Sequence, residues 1–322
     1  MSQIEEIHNN SELSIISAPW NASTLFDSTS HLMPPKIIDR FSKLSLTDKA
    51  FDDFLIQDFS FIKEDNAILK INNQAKETFL SRINDTDPNV ITAQTKRLNK
   101  YINEYHSKLY DLAEIEIKND SLLGLVGGDS SSSYPIIKAL LDYVPTCSLL
   151  AINAELNLEP PVNDSPYETA SIMTTILAEH RDIKRLVHIG AKHYTQTELA
   201  TIHNEKGRIK VLFQDDILTD LYQGKSWDSY CKKIINNTTD SVYISIHANS
   251  VQPHYNTATQ TYSDPPFSYE QLEYLLKKFS NSNKKIIGFD CVGFEDTDLM
   301  LDIDRICKLL FTTAGAAWKT FQ

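Results

Sequence analysis

Glycine is scarce in this chain. Nine stand among 322 residues, where ordinary usage of ~7% would give roughly 22. No glycine-, proline- or serine-rich linker divides the sequence, so a single domain is expected over 1–322, with a polar extension at 1–12. Cysteine is also sparse: Cys147, Cys231, Cys291 and Cys307 form no CxxC pair, and three of them lie in or beside apolar runs. That excludes a disulfide scaffold and fits buried free thiols in a reducing compartment. No apolar run approaches the ~20 residues of a membrane span. Cations are in deficit, 31 against 43 acids, for a net charge of −12. Such a balance argues against nucleic acid or an anionic membrane as partner. The first ten residues, Met1–Asn10, are acidic and polar, unlike a secretory signal, and the expected location is cytoplasmic.

What is present is alternation. Short apolar runs at Ser14–Ser17, Leu122–Val126, Ser148–Ile152, Arg185–Ile189, Lys210–Phe213, Val242–Ile246 and Lys285–Phe289 are rich in Ile and Val. Several are apolar on both faces, as strands buried inside a parallel sheet are. Between them lie helical patterns at Pro35–Leu44, Tyr134–Tyr143, Glu168–Glu179, Gln196–Glu205, Trp227–Ile235, Tyr269–Phe279 and Thr297–Phe311. Leu272, Leu275 and Leu276, for example, recur at the spacing of one helix face. Strand–helix–strand alternation predicts right-handed crossovers and a three-layer α/β/α sandwich on a mostly parallel sheet. A longer polar helix is expected near 88–118, solvated and covering one side of the sheet; Ser130–Ser133 reads as a cluster of helix N-caps.

Five segments carry the chemistry: Gly127-Gly128-Asp129-Ser130, Asn153-Ala154-Glu155-Leu156-Asn157, Asn163-Asp164-Ser165-Pro166-Tyr167, Ser245-Ile246-His247-Ala248-Asn249 and Gly288-Phe289-Asp290-Cys291-Val292-Gly293. In order and spacing they resemble the signatures of the ureohydrolase superfamily (arginase, agmatinase, formimidoylglutamase), which read GGDH, DAHxD, an HGTP- or SGTP-like loop, SxDxD and GFDxxE. The likeness runs from about Ile15 to Lys319. It implies an arginase-like α/β/α fold. In active relatives two Mn²⁺ ions at the C-terminal edge of the sheet bridge a hydroxide that attacks a guanidine or formimidoyl carbon.

The resemblance also shows what has changed. The six metal-ligand positions of the family are occupied by Ser130, Asn153, Glu155, Asn157, His247 and Asn249, and the acid that closes GFDxxE is Gly293. Hard divalent ions need anionic oxygens with imidazole as a helper. Here three carboxylates have become amides, the fourth has become His247, and one histidine has become Glu155. Carboxylates left behind without metal would repel one another in a low-dielectric cleft. The charge-compensated pattern therefore implies a chain adapted to fold without metal: a catalytically inactive homologue with a binding or assembly role, and no cofactor.

Several readings remain open at the level of sequence. Glu155 and His247 could pair across the cleft, raising the pKa of His247, as a catalytic acid–base couple or as two buried groups satisfying one another. A remnant Mn or Zn site including Asp129, a Ser130–His247 nucleophile lacking an orienting acid, and an active hydrolase of linear amidines (formimidoylglutamate-, agmatine- or arginine-like) with a rebuilt site are the alternatives. Asp129, Asn163, Ser165, Tyr255 and Asp290 are candidates to line a pocket for a small amino-acid-like ligand. The segment from Gln252 to Pro266, glycine-rich in active relatives, has no glycine here, so side chains replace bare backbone. By resemblance the partner expected is a second copy of the chain, in a trimer or hexamer, with an active paralogous subunit as a further possibility.

Overall fold

The computed structural model describes residues 13–24, 28–51, 54, 58–63, 66–162, 164–251 and 265–321. The extension at 1–12, Asn163 and Tyr255 lie outside them. Among the described residues eight strands form one sheet: β1 (Leu13–Ala18), β2 (Phe59–Ile62), β3 (Leu122–Gly127), β4 (Cys147–Ile152), β5 (Ile183–Ala191), β6 (Ile209–Phe213), β7 (Ser241–His247) and β8 (Lys285–Val292). Their spatial order is β2-β1-β3-β8-β7-β4-β5-β6, and every pairing is parallel. The strands expected from the sequence are all there. β1, β3 and β4 are buried at every residue, which is why they read as continuous apolar runs.

Among the described residues ten α-helices cover the two faces. They are α1 (Met33–Phe41), α2 (Asn66–Ile83), α3 (Pro88–Lys118), α4 (Ser133–Leu141), α5 (Ile172–Glu179), α6 (Gln196–Asn204), α7 (Gln214–Tyr222), α8 (Trp227–Asn237), α9 (Tyr269–Ser280) and α10 (Met300–Phe321). Two apolar cores result, one on each side of the sheet. Residues of α1 and α7–α10 fill one, and residues of α2–α5 fill the other. This is the three-layer α/β/α sandwich that the alternation predicts. Among the described residues no helix is long and apolar enough to cross a membrane.

Three elements escape the sequence reading. β2 is a four-residue edge strand, half-buried throughout, too short for its period to register. α2 buries the polar Asn72, Thr78 and Arg82 beside its apolar residues, which blurs its amphipathic pattern. α7 follows β6 with no intervening turn. The long helix α3 does cover one face, but its solvated character holds only in part. Tyr105 is fully buried, its ring stacked on Trp20 at a centroid distance of 4.1 Å and its hydroxyl donating to Ser132 Oγ at 3.0 Å.

Candidate functional site

In an open parallel sheet, ligands bind at the carboxyl ends of the strands near the point where strand order reverses. The four central neighbours β3, β8, β7 and β4 run directly into the segments singled out above. The end of β3 leads to Asp129 and Ser130, and β4 leads to Asn153, Glu155 and Asn157. β7 ends on His247 and leads to Asn249, while β8 carries Asp290 and leads to Gly293. Sheet topology thus gathers at one edge residues up to about half the chain apart.

Gly128 fixes the floor. Its amide donates to Ala18 O and its carbonyl accepts from Gly293 N at 2.6 Å, so a Cβ there would overlap the Trp20 carbonyl. Asp129 then caps the short turn Ser130–Ser132, accepting from Ser131 N at 2.9 Å and from Ser131 Oγ at 2.5 Å. Its other oxygen accepts from Ser23 Oγ at 3.2 Å. The cap is therefore Asp129 and not one of the serines. Burial pushes the Asp129 carboxyl up to about 6, against the pull of these donors.

The substituted positions are committed as well. Asn153 Oδ1 accepts from Glu155 N at 2.9 Å, and Asn249 Oδ1 accepts from Ala154 N at 3.1 Å. Asn249 N donates to His247 Nδ1 at 3.1 Å, which leaves the imidazole proton on Nε2. Asn157 sits in the left-handed region at φ 54°, a conformation asparagine tolerates better than most residues, and its buried Nδ2 has no partner among the described residues. The buried Ser130 Oγ also has none. Ser130 is therefore not bonded to His247, and the nucleophile pair does not form.

The Glu155–His247 couple does not form either. Among the described residues no hydrogen bond or ion pair joins them. Burial lowers the His247 pKa to about 4, opposite to the rise expected from a carboxylate partner. The ring instead lies on Gly293: a Cβ at that position, where φ is 78°, would overlap the imidazole. Loss of a side chain at 293 is what lets a ring occupy the place of a carboxylate at 247. Glu155 faces outward at the rim. Crowding by protein on its inner side raises its pKa, while His193, across a parallel bridge from it, acts in the other direction. Its backbone carbonyl accepts from His188 Nε2 at 3.0 Å. His188 and His193 were not among the residues the sequence singled out. The register of β5 on β4 sets His188 beside Ala151, and the bridge beyond the strand end sets His193 beside Glu155.

Asp290 is wholly buried, with Ser245 Oγ donating to its Oδ1 at 2.7 Å, and Ser165 is also wholly buried. Burial pushes the Asp290 carboxyl up to about 6. Asp129, Ser165 and Asp290 are thus buried and do not face solvent.

These side chains do not fit a pair of divalent ions. Glu155 is the one anionic member of the six positions, and the amide oxygens of Asn153 and Asn249 already serve backbone N–H groups. Among the described residues, no group of three or more His, Cys, Asp or Glu is placed to hold a metal ion.

No curated protein matches the chain. Solved structures do. The agmatine ureohydrolase of Thermoplasma volcanium is 14% identical, with 97% of this chain and 92% of that one covered at a TM-score of 0.72. The arginase of Medicago truncatula is 17% identical, with 95% and 87% covered at 0.68. The formimidoylglutamase of Bacillus subtilis is 14% identical, with 99% and 94% covered at 0.67. At such identities the likeness is one of fold. The sequence profile of the arginase family matches residues 11–296, from before the first strand through every segment that converges on this edge of the sheet, and the chain belongs to that family.

Proposed function

We propose that this protein is an arginase-family homologue that does not hold the binuclear manganese site and works by binding a small amino-acid-like ligand, or through assembly, without hydrolysing an amidine. One observation carries the reading. At the family's ligand positions, the polar atoms of Asn153, Asn249 and His247 hold neighbouring backbone groups, and Glu155 alone is anionic. Two divalent cations in that setting would lack the negative charge that balances them. Without a metal-lowered pKa, a water at this edge stays a poor nucleophile at neutral pH.

The test is metal content together with product release. Protein purified from manganese-supplemented medium should carry well under one equivalent of manganese or zinc. It should release no urea, ammonia or formamide from arginine, agmatine or formimidoylglutamate. Near-stoichiometric metal with turnover of any of these would replace this reading with that of an active amidine hydrolase. We infer a second copy of the chain as the assembly partner. A light-scattering mass of one subunit would count against it.

A further inference from the structure

Away from the sheet edge, α3, α4 and Tyr167 line an open recess of about 190 Å³. None of the family's ligand positions lines it. Its wall is aromatic: the His106 ring lies 4.9 Å from Tyr134 and 4.8 Å from Tyr167, and the two tyrosine rings lie 4.8 Å apart. Both tyrosine hydroxyls are already used, donating to the two oxygens of Glu179 at 2.5 and 3.1 Å. Tyr110, also on the lining, donates its hydroxyl to Asp142. The phenols therefore offer ring surface in place of polar groups.

Two groups give this surface a polarity. His106 is 6% exposed, and its Nε2 has no hydrogen-bond partner among the described residues, which is costly unless a ligand or water reaches it. Burial, with the Lys138 ammonium second, lowers its pKa to about 3, so at neutral pH the ring is uncharged. Lys138 is exposed on the lining, its Nζ 5.6 Å from the Tyr110 ring centroid. No ion pair engages it among the described residues. The Lys138 ammonium at the mouth gives an anion a charge partner, while the carboxylates of Glu179 and Asp142 are held by the tyrosine hydroxyls.

We propose that this recess binds a small aromatic carboxylate, one ring in size, with its ring against Tyr134 and Tyr167, its carboxylate toward Lys138 and an edge toward His106 Nε2. The volume matches a single ring.

Benzoate is the probe, with benzamide (the ring without the charge) and acetate (the charge without the ring) as comparisons. The His106 ring signal in ¹H–¹³C spectra, assigned through His106→Gln, should shift saturably with benzoate and not with acetate. Benzamide should bind about two- to fivefold more weakly, the range that loss of one exposed ion pair gives. Lys138→Gln should weaken benzoate by a similar factor and leave benzamide unchanged. Because Lys138 is exposed, that variant should melt as the parent does. No His106 shift at tens of millimolar benzoate, equal binding of benzamide, or benzoate binding indifferent to Lys138→Gln would each overturn the proposal.

Discussion

The imidazole of His247 lies on Gly293, where any side chain would overlap the ring. Two positions that carry acids in the family's signatures have thus become one steric unit. Gly293→Ala should cost about 2–6 kcal/mol, the sum of overpacking and of a non-glycine residue held at positive φ. In the His247→Ala background, the overpacking share should vanish. A double-mutant cycle by urea denaturation should return a coupling of at least ~1 kcal/mol. Additive effects would place the ring elsewhere. His106 makes a prediction about pH. Its folded pKa, about 3, lies below its ordinary 6.5, so the stabilisation it provides is present above pH 6.5 and is lost as pH falls. Between pH 7.5 and 5 the parent should lose about 2 kcal/mol that His106→Phe does not lose. Denaturation series at the two pH values measure the difference. Of the substituted positions themselves, the residue types were legible in the sequence, since loss of charge is written in the letters. Their partners were not. Nothing in Asn153 or Asn249 says whether an amide will face a ligand or hold Glu155 N and Ala154 N.

At the level of elements, the buried strands announced themselves because both of their faces are apolar, and α9 did so through the spacing of its leucines. α2 and β2 did not, because buried polar residues in one and short length in the other remove the period. α3 shows how a polar composition hides a packing role. Its buried stripe runs through Leu98, Ile102, Tyr105 and Leu109, at helical spacing. Tyr105 joins that helix to the loop after β1 through Trp20 and to the turn after β3 through Ser132. Tyr105→Ala should therefore cost about 3–5 kcal/mol, in line with other buried aromatic truncations. Tyr105→Phe should cost about 1 kcal/mol, the worth of one hydrogen bond. Thermal or urea unfolding followed by tryptophan emission gives both numbers. Equal, small effects would mean that α3 is solvated at this point.

For the whole molecule, the consequence of the site's composition is that folding should not be linked to metal. A ligand that binds only the folded state raises its stability by mass action, and its removal lowers it. Stripping divalent ions with EDTA should leave the melting temperature of this protein within about 1 °C. A drop of several degrees would show that metal stabilises the folded chain after all. The sequence by itself determined the layered α/β/α architecture, the order of the motifs and the removal of charge from the family's ligand positions. These are properties of composition and of short-range period, which any stretch of chain displays alone. Only the tertiary structure decided that Glu155 faces His193 and not His247, that Asp129 and Asp290 are buried, and that His247 rests on Gly293. Such pairings depend on distances of a few ångströms between residues far apart in the chain. Those distances are set by strand order and register, which no local pattern encodes.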